Sequence, residues 1–449
     1  MTLLTQLFTQ PKGTLLLCFV QMWNRFSYYG MRALLVLFML NVLHFTAPMA
    51  LGVYAIFCAL IELGGVLGTI LATKFLGLKA SIIIGGWITL IGHLALAMGW
   101  FFPGLALLIV GSSLFSTNIS ALMGDLYTLK DERRAGGFTL FYMGINIGAL
   151  LATLLCGFLA MTVGWNIGFG IAAMGMLLAN IALLKYRHLL QGKGEAPKEV
   201  SKRKKWSILP ILIGLGGLAT LALLGQSIAL YLLPILAGTA GFWILQNLSK
   251  KKIQLKGLGI TLAALVGFFA AEEQFGSSLM IYADKMTNQT LFGLHMAPAS
   301  ILALNPIVII LFGALAIGLY NRMRSASARI CIPFAIAGIA FASLTLFHTL
   351  APSLATIMGV VAMISFAELF VGPMCYSTCS EVAAEAQDPK VMGLVPIGFS
   401  MASLLGGGIS KLIAENSYHM GFLILGIFLL ISGLVLSFLH RIRKLEKAA

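Results

Sequence analysis

Two arginines and four glutamates lie inside long apolar stretches of this 449-residue sequence: Arg25 and Arg32, then Glu62, the adjacent pair Glu272 and Glu273, and Glu368. A charge at the centre of a bilayer costs about 2.5–3.5 kcal/mol on insertion scales, so such residues face a polar cavity or one another. Gln21, Arg25, Tyr28 and Arg32 are spaced by four, three and four residues, which puts them on one face of a helix. Arginine presents a fixed fork of donors that matches a carboxylate. Tyrosine beside it supplies an aromatic wall with a polar tip. Cationic forks on one side, with Glu273 and Glu368 as carboxylates on another, suit a small zwitterion such as an amino acid or a short peptide. The competing reading, buried ion pairs that lock helices together, is weaker, because such pairs stabilise poorly compared with apolar packing.

The elements that position these residues are membrane helices. Hydrophobic residues make up 59% of the chain and charged residues 10%, with a mean hydropathy of +0.97, where a soluble domain carries about 25% charged residues. Fourteen apolar stretches, from 14–43 to 417–440, are each near the roughly 20 residues that span a bilayer core. Backbone groups in lipid must be satisfied within the segment, so the stretches are helices. The net charge of +15 falls on alternate loops: all Lys and Arg except Arg25, Arg32, Lys285 and Lys411 lie on one face. This is the positive-inside pattern, with both termini cytoplasmic in a cell membrane. It orients the chain and argues against nucleic acid as a partner.

The basic segment 185–206 follows six spans, and a second basic break at 249–256 precedes the last six. Between them lie two spans without a charged residue, read as an accessory hairpin. The expected domains are therefore an N-terminal six-helix bundle at 1–188, a basic linker with accessory hairpin at 189–252, and a C-terminal six-helix bundle at 253–449. Two six-helix halves make this an all-α membrane protein of the major facilitator architecture, a monomer whose substrate site lies between its halves.

Other chemistry finds little support. The six cysteines all fall in apolar spans; Cys375 and Cys379 share a helical turn but have no further ligands, so no metal site is expected. The seven histidines are scattered, and only His93 lies deep in a span, which suggests neither an enzyme nor a cofactor. "DERRAGG" (131–137) reads as a loop with Arg–carboxylate contacts, and Lys202–Lys205 as an orientation signal that also suits anionic lipid. Glu381 and Glu385 read as a solvated helix end.

Five stretches carry a family resemblance. "NRFSYYGMR" (24–32) resembles the first-helix motif E-x-x-E-R-F-x-Y-Y-G of the proton-dependent oligopeptide transporter family. The stretch 118–151, from "NISALMGDLYTLKDERRAGG" onward, is similar to the family's second motif. "EEQFGSSLMIYADK" (272–285), "LNPIVIIL" (304–311) and "AELFVGP" (367–373) look like its seventh, eighth and tenth helices. The resemblance implies that Arg25, Tyr28, Tyr29 and Arg32 belong to a peptide pocket, with the arginines and Tyr29 toward the peptide's carboxyl end. It implies that Asn146 contacts the peptide backbone, that Glu273 takes part in gating and proton movement, and that Glu368 receives the amino terminus.

The departures bear on coupling. The two glutamates of the first-helix motif are Gln21 and Asn24 here, the family's fourth-helix lysine is Ser116, and the second-helix tyrosine of the pocket is Glu62. Gln21 and Asn24 cannot titrate, so any proton coupling must use Glu62, Glu272, Glu273 or Glu368. The expectation is a transporter that imports di- and tripeptides or related zwitterions, with weak or rerouted proton coupling, Glu273 as the proton carrier and Glu62 as the partner of Arg25. The alternatives are an uncoupled facilitator or exchanger for a different small amphiphile and, more distantly, a transport-dead receptor.

Overall fold

The computed structural model describes residues 9–448 except 129–130, 132, 197–206, 251–254, 288–289, 292–293, 324 and 348–353. The basic run Lys202–Lys205 lies outside the described residues. Each of the fourteen expected spans is helical over most of its described residues. Among the described residues, eleven helical segments are long and apolar enough to cross a bilayer; two shorter apolar ones are Ile208–Leu224 and Ser327–Ser343. The remaining span is the first helix, whose polar side chains lower its hydropathy.

In chain order the helices are α1 (Lys12–Asn41), α2 (Ala47–Leu71, continued by a π turn Ala72–Leu76), α3 (Leu78–Ala97), α4 (Phe101–Asp125), α5 (Arg133–Thr162), α6 (Trp165–Tyr186), α7 (Ile208–Leu224) and α8 (Gln226–Lys250). They continue as α9 (Leu255–Glu272), α10 (Ser278–Met286), α11 (Leu304–Arg322), α12 (Ala326–Ser343), α13 (Leu354–Ala386), α14 (Leu394–Glu415) and α15 (Tyr418–Ala448). Thr290–Leu291 and Leu294–His295 pair as a two-residue antiparallel hairpin in the loop after α10. The expected span 257–283 is interrupted: a 3₁₀ turn at Glu273–Gly276 separates α9 from α10. The interruption falls on one of the intramembrane glutamates.

By packing the chain forms two units, Met1–Leu35 with Leu60–Leu224, and Val36–Ala59 with Gly225–Ala449. In the first, small residues let helices approach closely, the packing that replaces hydrophobic driving force inside lipid. A methyl group on Gly85 of α3 would meet the Gly111 carbonyl of α4 at 2.6 Å, and one on Gly104 the Gly92 carbonyl at 3.1 Å. Asn118 of α4 donates to the Gly68 carbonyl of α2 at 3.3 Å. Ser27 of α1 donates to the Ala172 carbonyl of α6 at 2.6 Å.

The basic-loop end of this unit is tied by polar contacts. Tyr127, just after α4, donates to Gln10 Oε1 at 2.8 Å, and its hydroxyl lies 2.6 Å from that of Thr14. The Arg133 fork grips Asp131 and donates to the Thr9 carbonyl at 2.9 Å. That guanidinium holds the Asp131 carboxyl below its ordinary pKa. The start of the linker folds back over the α2–α3 turn: Lys79 N–H donates to the Gly194 carbonyl at 2.9 Å, and the Lys79 ammonium pairs with Glu195. Gly77 bridges that turn at φ 80°, against the backbone of Glu195 and Ala196, where a side chain would be both strained and blocked.

The second unit centres on an aromatic core in which Phe268, Phe334, Phe341, Phe422 and Tyr282 are fully buried. α12 and α15 touch backbone to backbone at Gly338 and Gly426. The chain at 36–59 belongs here: Tyr54 packs against Gly276, and Ala55 against Gly407 of α14.

Candidate functional site

Each unit carries one set of the residues expected from sequence. In the first, α1 presents Gln21, Arg25, Tyr28 and Arg32 along one face. The guanidinium carbons of Arg25 and Arg32 lie 5.8 and 6.0 Å from the Tyr28 ring centroid, within cation–π range. The Tyr29 ring meets Tyr28 edge-on at 5.2 Å. The structure therefore brings both arginines and both tyrosines together, with Tyr28 at the centre. Arg25 Nε and Gln21 Nε2 are buried without a hydrogen-bond partner. A buried unsatisfied donor costs about 1–3 kcal/mol, so this face is built to gain from an incoming acceptor such as a carboxylate.

The altered motif positions interact with each other. Asn24 Nδ2 donates to Gln21 Oε1 across one turn, at 3.4 Å, and both residues are buried. Ser116 sits half-buried on α4 and Glu62 half-buried on α2, in the same unit as the arginines. Asn146 is buried on α5, and its amide donates to the Tyr142 carbonyl of its own helix at 3.0 Å.

In the second unit the broken helix sets the geometry. Gln274 makes four hydrogen bonds, the full capacity of an amide. It donates to the carbonyls of Ala270 and Gly406 at 3.0 and 3.1 Å, and accepts from Ser278 and Ser410 at 2.6 and 2.7 Å. Ser277 donates to the Glu273 carbonyl at 2.6 Å. These bonds hold the 3₁₀ turn against α14. They aim Glu273, whose Oε1 accepts from Ser403 of α14 at 2.9 Å. Gly406 leaves the passage for its stem: a methyl group there would meet Glu273 Cβ at 2.8 Å. Glu272 is half-buried and ends α9.

Glu368 on α13 accepts from Asn305 Nδ2 of α11 at 2.7 Å, and the same amide reaches Ser365 Oγ at 3.1 Å. Asn305, absent from the residues singled out in the sequence, is thus a direct partner of one that was. Its sequence signal is faint: a single neutral polar residue, before a proline, in an otherwise apolar run. One turn before Glu273 and Ser403 stand Phe269 and Phe399, with ring centroids 4.7 Å apart, and Tyr376 lies 6.4 Å from Phe399. These three rings give the second unit an aromatic wall that side-chain spacing alone did not reveal. Among the described residues no group of three or more His, Cys, Asp or Glu is arranged to hold a metal ion.

The family model described as the POT family matches residues 79–388. The chain is 28% identical to the uncharacterized transporter YclF of Bacillus subtilis, over 97% of this chain and 95% of that one. It is also 28% identical to the di-/tripeptide transporter of Lactococcus lactis, over 96% and 95%. Among solved structures, a peptide transporter POT in complex with sulfate is 27% identical with a TM-score of 0.83, covering 95% of this chain and 94% of that one. A mutant peptide transporter POT in complex with alafosfalin is likewise 27% identical, at a TM-score of 0.85, covering 96% and 94%. Together with two six-helix sets, paired arginines on α1 and carboxylates on α9 and α13, these matches identify the architecture: the chain belongs to the POT family.

Proposed function

We propose that this protein imports di- and tripeptides, or closely related zwitterions, by alternating access, with the basic-loop face and both termini in the cytoplasm. One observation carries the reading: acceptor and donor chemistry are divided between the units. The first unit offers guanidinium groups around Tyr28, with Arg25 Nε and Gln21 Nε2 unsatisfied, which suits a carboxylate. The second offers the Glu368 carboxylate, fixed by Asn305, which suits an ammonium. The aromatic wall of Phe269, Phe399 and Tyr376 suits the side chains between. The peptide transporters named among its relatives support the same substrate class.

Proton coupling is the part most altered. Gln21 and Asn24 bond to one another and carry no exchangeable charge, which favours coupling through Glu273, with Glu62 and Glu272 as the other candidates, or an uncoupled exchanger. The test is uptake of a labelled dipeptide by proteoliposomes with and without an inward proton gradient, with counterflow exchange as the control. Exchange without acceleration by the gradient selects the uncoupled reading. Acceleration that disappears in Glu273→Gln and persists in Glu62→Gln selects Glu273 as carrier.

A further inference from the structure

α8 contributes nothing to the recognition chemistry, and its charge is one-sided. From Gln226 to Ala271 the sequence has no acidic residue, and its basic residues are Lys250, Lys251, Lys252 and Lys256, all at the basic-loop end. One side of α8 is packed on its own unit, the second. A Cβ on Gly241 would lie 3.6 Å from the Ile397 side chain of α14, and Leu248 is buried in the aromatic core. The other side is open and apolar. Tyr231, Ile235 and Phe242, spaced by four and seven, form one exposed stripe, with Trp243 exposed beside it.

One tertiary contact stands at the basic end of that open side. Lys390 belongs to the 3₁₀ turn Pro389–Gly393 between α13 and α14, and its ammonium lies 5.2 Å from the Trp243 ring centroid, within cation–π range. The acid nearest to it in sequence, Asp388, accepts from the Lys390 backbone N–H at 3.1 Å. Among the described residues the Lys390 ammonium makes no ion pair.

We propose that the junction of α8 with the Pro389–Gly393 turn holds an anionic phospholipid. Its phosphate takes the Lys390 ammonium, and its acyl chains cover the exposed stripe of α8. Tryptophan favours the boundary between headgroups and hydrocarbon, so a cation over this indole stands at phosphate level. The lysines at 250–256 strengthen the attraction, as basic residues beside a span do toward anionic headgroups. Unlike a loop lysine alone, this ammonium meets a ring from a second element, so both halves of an amphiphile have a fixed partner. The lipid would join α8, mostly exposed along its apolar length, to the α13–α14 turn. The contact stands whether or not the protein carries peptides.

Native mass spectrometry of the full chain tests it, with phosphatidylglycerol and phosphatidylcholine of the same acyl chains titrated into delipidated protein. Lys390→Gln is expected to weaken the tightest phosphatidylglycerol about fivefold, the weight of one lysine near a membrane surface, and to leave phosphatidylcholine unchanged. Lys74→Gln removes the same charge from an exposed position on the π turn of the first unit, and should change that lipid's binding little. Equal losses in the two variants, or equal retention of both lipids by the wild type, would overturn the site. Displacement of phosphatidylglycerol by an equal concentration of glycerol phosphate would overturn the lipid assignment, because a free phosphate ester would then suffice. Should Lys390→Gln not fold, Trp243 decides in nanodiscs that hold both lipids. The fluorescence missing from Trp243→Phe should be quenched more by brominated phosphatidylglycerol than by brominated phosphatidylcholine, and equal quenching would overturn the proposal.

Discussion

Replacing Asn305 by alanine removes the donor that fixes Glu368 and leaves the rest of the site in place. The bond is short, 2.7 Å from amide nitrogen to carboxylate oxygen, and hydrogen bonds to charged groups contribute about 1.5–3 kcal/mol. Glu368 is half-buried rather than sealed, so the lower end applies, about 1.5 kcal/mol, which converts to roughly tenfold in affinity. Ser365 also loses its contact at 3.1 Å, a minor addition. If Glu368 receives an ammonium, the loss must depend on that ammonium. Isothermal calorimetry on purified protein should therefore show about tenfold weaker binding of dialanine to Asn305→Ala. N-acetyl-dialanine, weak already, should bind the variant and the wild type equally. Equal losses for both peptides would refute the reasoning, because the residue would then be shaping the fold and not the amino-terminal contact. No loss for either would remove Asn305 from the site.

Three further outcomes follow from the same geometry. Arg25→Lys should fold with wild-type yield but transport poorly, because an ammonium cannot offer the planar fork; normal counterflow by this variant would take Arg25 out of recognition. Gly406→Ala places a methyl group 2.8 Å from both Glu273 Cβ and the Ala270 carbonyl, so overpacking should lower stability by about 1–3 kcal/mol, read as a fall in the fluorescence-detected melting temperature. Gln274→Leu removes its bonds to the Gly406 carbonyl and to the hydroxyls of Ser278 and Ser410, while Ser410 keeps its contacts with Gly406 and Ser277; it should destabilise by about 2 kcal/mol or more, and an unchanged melt would show that the 3₁₀ turn does not depend on this network.

The helices were legible because the bilayer imposes a length and a polarity on every span, and the fourteen apolar stretches met both. The charged candidates were legible for the same reason: Arg25, Glu273 and Glu368 stand out against an apolar background. What escaped was neutral or tertiary. The break at Glu273–Gly276 has no proline and is held by serines and a glycine of α14, more than a hundred residues away. Asn305 carries no charge and reads as the polar start of a helix until its amide is seen on Glu368. The aromatic wall is built from α9, α13 and α14 together, so no single periodicity predicts it. The accessory pair reads as one hairpin in sequence, and only packing assigns α7 and α8 to different units.

In the function proposed above, the donors on α1 and the Glu368–Asn305 pair recognise the two ends of a short peptide that the protein carries. Counterflow of labelled dialanine into proteoliposomes loaded with unlabelled peptide tests it most directly. Uptake should be competed by unmodified di- and tripeptides and not by the same peptides with an acetylated amino terminus or an amidated carboxyl terminus. Counterflow of another metabolite class without any of a di- or tripeptide, or competition that ignores both termini, would contradict it.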